Sequence, residues 1–182
     1  MSKVYTFLAD GFEMVEALAV VDILKRAGIE VITVSVKDTL EVESSHKVTI
    51  KADTLFNENS YDDGSCVFLP GGMPGTRNLE AHEGLTDLIK KYYEGDKYLA
   101  AICAAPSVFG HMGLLEGKNA TCFPGFEKDL YGATATGNRV EQAGKIITSK
   151  GMGTAIDLGL KLVEIFISAE KSEEIAKSTQ YK

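Results

Sequence analysis

The stretch V-Y-T-F-L-A-D-G-F-E-M-V-E-A-L-A-V-V-D-I-L-K-R-A-G-I-E-V-I-T-V-S-V, Val4 to Val36, decides the fold. Val4 to Leu8 is short, apolar and rich in β-formers. It leads into Asp10-Gly11, so it reads as a buried strand and its exit turn. From Met14 to Ala27 the apolar residues Met14, Leu18, Val21 and Leu24 recur at helical spacing, with Gly28 where a C-terminal cap belongs. Ile29 to Val36 reads as a second strand. A strand, a helix and a strand in close succession predict a parallel pair joined by a right-handed crossover.

The same alternation continues outward. Glu41 to Ile50 reads as a small hairpin, and Val67 to Leu69 as a strand running into the loop P-G-G-M-P-G at 70–75. A helix follows over Gly84 to Tyr93, then a strand from Tyr98 to Ile102, a turn at Cys103 and a helix through His111. Thr121 to Phe123 is predicted as a short strand. Asn138 to Gln142 and Lys145 to Ser149 flank Ala143-Gly144, a hairpin signal. Gly153 to Ile167 reads as a long apolar helix, and a charged helical tail follows. There is no linker, repeat or low-complexity tract, and 182 residues suit one domain, 1–182. The expected fold is α/β: a doubly wound, mostly parallel sheet sandwiched by helices. Sites in such sheets gather at the carboxyl ends of the strands. Three loops there stand out: D-G-F-E-M-V-E at 10–16, P-G-G-M-P-G, and C-A-A-P at 103–106.

Composition narrows the function. A net charge of −7 argues against nucleic acid or an anionic membrane as the main partner. No apolar run approaches the ~20 residues of a spanning helix, and no signal-like segment opens the chain. Cys66, Cys103 and Cys122 are scattered, with no C-x-x-C pair, so reduced thiols and a cytoplasmic location are expected, with no metal.

The chemistry centres on Y-L-A-A-I-C-A-A-P, Tyr98 to Pro106. An apolar strand ends in a cysteine, small residues permit a sharp turn, and Pro106 suits the first turn of a helix. Such an elbow presents Cys103 to free N–H groups that favour a thiolate. A buried structural cysteine is the plain alternative. Glu13 suits a helix start. Glu16, flanked by Val15 and Ala17 and with Val20 at i+4, is expected to point inward and need a partner. Beside Cys103 it would donate a hydrogen bond to the thiolate or act as general acid/base. The P-G-G-M-P-G loop lacks the features of a P-loop or dinucleotide fingerprint, and reads as a tight turn or an oxyanion hole. Gly151-Met152-Gly153 reads as packing. His46, His82 and His111 read as surface or capping residues.

D-G-F-E-M-V-E, K-R-A-G-I-E-V, F-L-P-G-G-M-P-G-T-R-N-L, A-A-I-C-A-A-P and T-S-K-G-M-G-T together closely resemble the DJ-1/PfpI superfamily, in its DJ-1 branch. That branch includes bacterial proteins often labelled as thiazole monophosphate biosynthesis proteins. The resemblance implies a flavodoxin-like, class I glutamine amidotransferase-like sandwich that forms homodimers. It implies a nucleophile at Cys103, its glutamate at Glu16, and oxyanion-hole amides at Gly72 and Ala104. Arg26 aligns with a dimer-interface arginine, and His46 stands where the branch carries an arginine from the partner subunit. Ala104 replaces the histidine that follows the cysteine in PfpI-type proteases, and Phe123 replaces a pocket histidine, so a peptidase is not expected.

Two functions follow from the resemblance. One is cofactor-independent glyoxalase or deglycase chemistry on small reactive carbonyls such as methylglyoxal. The other is an oxidative-stress sensor or redox-regulated chaperone that uses oxidation of Cys103.

Overall fold

The computed structural model describes residues 2–181. Strand β1 (Lys3–Leu8), helix α1 (Met14–Arg26) and strand β2 (Glu30–Ser35) form the expected crossover unit, with β1 and β2 parallel from Lys3/Glu30 to Leu8/Ser35. Gly28, at φ +82°, ends α1: its amide reaches the Lys25 carbonyl at 3.0 Å, and the Ile29 amide reaches Leu24, also at 3.0 Å. This is a Schellman cap, which needs a left-handed residue where Gly28 stands.

An antiparallel hairpin, β3 (Glu41–Glu43) and β4 (Thr49–Lys51), lies beyond β2. Then come β5 (Thr54–Leu55), β6 (Cys66–Leu69), α2 (Gly75–Glu80), α3 (Glu83–Glu94), β7 (Tyr98–Ile102) and α4 (Pro106–His111). The chain closes with the paired short strands β8 (Asn119–Ala120) and β9 (Thr134–Ala135), the hairpin β10 (Val140–Ala143) and β11 (Ile146–Ser149), and helices α5 (Ala155–Phe166) and α6 (Ala169–Ser178). The main sheet runs β10-β11-β7-β6-β1-β2-β5, and only β10 is antiparallel to its neighbour.

Burial on both faces explains the apolar strands. In β6 and β7, Cys66, Phe68, Ala100 and Ile102 pack against Val20, Ile23 and Leu24 of α1 and Leu158, Leu162 and Val163 of α5. The alternate residues Val67, Leu69, Leu99 and Ala101 meet Leu85, Ile89 and Tyr92 of α3 and Val108 and Phe109 of α4. Among the described residues, no helix is long and apolar enough to cross a membrane.

The structure corrects three sequence expectations. Thr121 to Phe123 is not a strand. Thr121 donates to the Thr148 side chain at 2.9 Å and Phe123 to the Cys103 carbonyl at 2.8 Å, so this segment leaves the ladder to cross the end of β7. The last long helix starts at Ala155, because a 3₁₀ turn, Met152–Thr154, comes first. The loop residues after Pro74 continue into helix α2, which propensity did not reveal.

Helices α1 and α5 approach closely at Gly159, where an added Cβ would lie 2.9 Å from Ile23 Cβ and Cγ2. Alanine in place of a mid-helix glycine ordinarily stabilises by about 1 kcal/mol. Here the crowding dominates, and Gly159→Ala is expected to cost about 1–2 kcal/mol net. A urea midpoint below that of the native chain checks this, and the Ile23→Ala/Gly159→Ala pair should lose less than the two single losses added together.

Candidate active site

Strands β1, β6 and β7 are neighbours in a parallel sheet, so their three exit loops meet at one edge. The first two are tied together by the Glu13 amide, which donates to the Gly71 carbonyl at 2.8 Å. At the third, the Cys103 amide extends the β7 ladder to the Ser149 carbonyl at 2.9 Å. Cys103 then turns into the left-handed region at φ +65°, a conformation that costs a non-glycine residue energy and marks a constrained site. Ala104 and Ala105 complete the turn, and Pro106 occupies the first turn of α4. Cys103 is partly exposed, whereas Cys66 and Cys122 are buried.

Glu16 lies in the first turn of α1 and is 1% exposed. Its Oε2 accepts the Gly71 amide at 3.0 Å, and its carboxyl is hydrogen-bonded to the Cys103 side chain and the Met152 amide. Glu13 caps α1 by accepting the Glu16 amide at 2.7 Å. No side chain fits at Gly71: a Cβ there would sit 2.6 Å from both Cys103 Cβ and Glu16 Oε2. Gly72, at φ +89°, would drive a Cβ to 2.4 Å from the Glu13 amide nitrogen. The amides of Ala104 and Gly72 are directed at the Cys103 sulfur.

The amides at the elbow favour a thiolate as expected, but burial outweighs them. Burial above all pushes the Glu16 carboxyl up to about 7. The Cys103 hydrogen bond opposes this, the Glu13 charge adds to it, and the Gly71 and Met152 amides also oppose it. Burial likewise pushes the Cys103 thiol up to about 12, helped by the charge and hydrogen bond of Glu16, against the pull of the Ala104 and Gly72 amides. Two adjacent acids out of water do not both ionise readily, so the pair keeps at least one proton through the neutral range.

The other candidate residues stand apart. Arg26 is at the far end of α1, paired with Asp22 at 2.6 Å. His46 is exposed in the β3–β4 turn, with Nδ1 3.1 Å from the Ser45 hydroxyl. Neither reaches Cys103 within one chain. His82 caps α3, and His111 pairs with Glu80. Gly151, read as packing, does pack closely, since a Cβ there would meet Phe123 at 3.3 Å and Glu16 Oε1 at 3.9 Å, and the Met152 amide adds a bond to Glu16 that the sequence did not reveal. Phe123, 48% exposed, flanks the site there. Gly71, which holds Glu16, was hidden within a glycine pair whose second member drew attention. Among the described residues no cluster of three or more His, Cys, Asp or Glu side chains is placed to hold a metal.

Known proteins share this sequence pattern and fold. The model of the DJ-1/PfpI family matches residues 2–165. Protein DJ-1 homolog B of Arabidopsis thaliana is 40% identical over 176 residues; these cover 96% of this chain, which spans only 40% of the plant protein's length. A Pyrococcus abyssi protein named a deglycase is 31% identical over 131 residues, 72% of this chain and 78% of its own. The structure of Toxoplasma gondii DJ-1, oxidized, superposes with a TM-score of 0.95 at 36% identity, covering 99% of this chain and 98% of that one. By sequence along most of its length and by fold, the chain belongs to the DJ-1/PfpI family.

Proposed function

We propose that this protein is a cofactor-independent, cysteine-dependent enzyme that removes small α-oxoaldehydes such as methylglyoxal, by glyoxalase or deglycase-type chemistry. The observation that carries the reading is the buried Glu16 carboxyl hydrogen-bonded to Cys103, with a titration point pushed up to about 7. A group that titrates near the working pH both takes and returns protons efficiently. The name of the Pyrococcus abyssi relative supports the reaction class.

In the proposed reaction the Cys103 sulfur bonds to the aldehyde carbon while its proton passes to Glu16, giving a hemithioacetal. The developing oxyanion takes hydrogen bonds from the Gly72 and Ala104 amides, which are directed at the space around the sulfur. Glu16 returns the thiol proton to that oxyanion, then removes the proton from the former aldehyde carbon and delivers it to the neighbouring carbon, while the hydroxyl proton passes to the former ketone oxygen. The ketone becomes an alcohol and the aldehyde carbon a thioester. Water cleaves the thioester, releasing lactate and restoring the thiol. No histidine is required, in keeping with Ala104 after the nucleophile. A peptidase would need a general base for the nucleophile that then acts as general acid to the amine leaving group, and the three histidines are engaged or placed elsewhere.

The working unit in this proposal is a cytoplasmic homodimer. Val15 and Leu18 of α1, each 41% exposed, offer an apolar face for a second copy. Only such a copy would bring Arg26 or His46 near a Cys103 pocket.

A second reading is oxidation sensing. It is favoured by the partial exposure of Cys103 against the burial of the other two thiols. Two equivalents of peroxide would convert the thiol to a sulfinic acid with release of two waters, and Glu16 would hold the product by a hydrogen bond.

With methylglyoxal as substrate, Cys103→Ala is expected to lower lactate formation by on the order of 10³-fold or more; undiminished turnover would remove Cys103 from the mechanism. Under mild peroxide, peptide mass spectrometry is expected to find two added oxygens on Cys103 before any on Cys66 or Cys122. Equal oxidation of the three would count against the sensor.

A further inference from the structure

Three large apolar side chains stand exposed on the loops around the Glu16–Cys103 pair: Met73, 37% exposed, Phe123, 48%, and Met152, 56%. Each belongs to backbone that is bonded to the pair or next to a group that is. Met73 follows Gly72, whose amide is directed at the Cys103 sulfur. The Phe123 amide donates to the Cys103 carbonyl at 2.8 Å, and the Met152 amide donates to the Glu16 carboxyl. Phe123 also comes close through its side chain. The point where a Cβ on Gly151 would lie is 3.3 Å from Phe123 Cδ2 and 3.9 Å from Glu16 Oε1, so the ring edge and the carboxyl oxygen flank one spot.

The chemistry of this rim differs from that of the pair it surrounds. Ring carbon, methylene and thioether carry no charge and no hydrogen-bond donor. Apolar groups exposed together mark a place of contact, and ligand sites combine an apolar lining with a few placed polar groups. The placed polar groups are here the Glu16 carboxyl and the Gly72 and Ala104 amides, all directed at the reacting centre. What the rim offers to the rest of a substrate is apolar surface, and a single methyl group is too small to cover it. Phe123 supplies a rigid ring, while Met73 and Met152 are unbranched and adapt to the shape laid against them.

We propose that the rim selects α-oxoaldehydes with an extended apolar substituent, which lies against Phe123 while the aldehyde carbon bonds to Cys103. The proposal rests on the carbonyl chemistry above for its reacting head and on the rim alone for its substituent. Isomerisation of such a substrate follows the same balance as for methylglyoxal: the ketone is reduced to an alcohol, the aldehyde is oxidised to a carboxylate, and one water is consumed. Phe123 is the specificity-determining residue in this account. It takes no part in proton transfer.

The test compares methylglyoxal with 2-oxohexanal, which carries the same oxoaldehyde on a longer alkyl chain and would yield 2-hydroxyhexanoate. The native chain is expected to favour 2-oxohexanal by about tenfold in kcat/KM. That ratio should fall toward one in Phe123→Ala and be largely kept in Phe123→Leu, which restores apolar surface. A ratio near one in the native chain, or one untouched in Phe123→Ala, overturns the proposal. So does a Phe123→Ala variant that keeps the ratio but loses a dimer seen by size exclusion, since the rim would then be an interface. If neither aldehyde is turned over, the carbonyl reading fails, and NMR titration of the methionine-methyl-labelled chain with unreactive 2-hexanone decides the rim. Saturable shifts at Met73 and Met152 that vanish in Phe123→Ala support it, and their absence overturns it.

Discussion

The Glu16 carboxyl and the Cys103 thiol lie against each other largely out of water, where burial disfavours charge on either group. Keeping at least one proton on the pair resolves this, and the surrounding structure holds them in that arrangement. Gly71 supplies an amide to Glu16 and, having no side chain, lets the carboxyl and sulfur approach. Met152 brings a second amide from the far side. Glu13 fixes the start of α1, and with it the place of Glu16. The parallel order of β1, β6 and β7 makes these contacts between loops remote in sequence.

The arrangement has a thermodynamic cost with a definite sign. A carboxyl whose folded titration point is raised from about 4.5 to about 7 binds more protons folded than unfolded between those values. Stability therefore falls as pH rises through that window and levels off above it, a loss on the order of 3 kcal/mol for this group alone. The left-handed backbone at Cys103 adds local strain. The α1–α5 and α3–α4 layers, which seal the sheet on both faces, offset these costs with buried apolar area.

Much of this was legible in the chain because local patterns and tertiary demands coincide. The Val4 to Val36 stretch carried its strand, helix, cap and strand in residue types alone, and the Schellman cap at Gly28 bears out that reading. Glu16 stood out as a charge on an apolar helix face, and Ala17 and Val20 are indeed fully buried beside it, although Val15 is exposed. The pull of the elbow amides on Cys103 was legible because a helix start is local, whereas the burial and the Glu16 partner that outweigh it come from folding. The six-residue α4 offers little dipole to compete with them. Met152 was illegible for a related reason: a backbone amide acts regardless of its side chain. Thr121 to Phe123 shows the reverse error, in which β-forming residues serve as a strap across a strand end.

The central claim is that burial makes Glu16 hold a proton near neutrality while its hydrogen bond with Cys103 pulls the other way, and its carboxyl carbon reports both directly. In a ¹³C NMR titration of the glutamate-labelled chain, with Glu16→Gln used to assign the resonance, the Glu16 signal is expected to titrate near 7. Its midpoint should move higher still in Cys103→Ala, which removes a hydrogen bond that favours the charged carboxylate. A midpoint near the ordinary 4.5, unchanged by that substitution, would contradict the account.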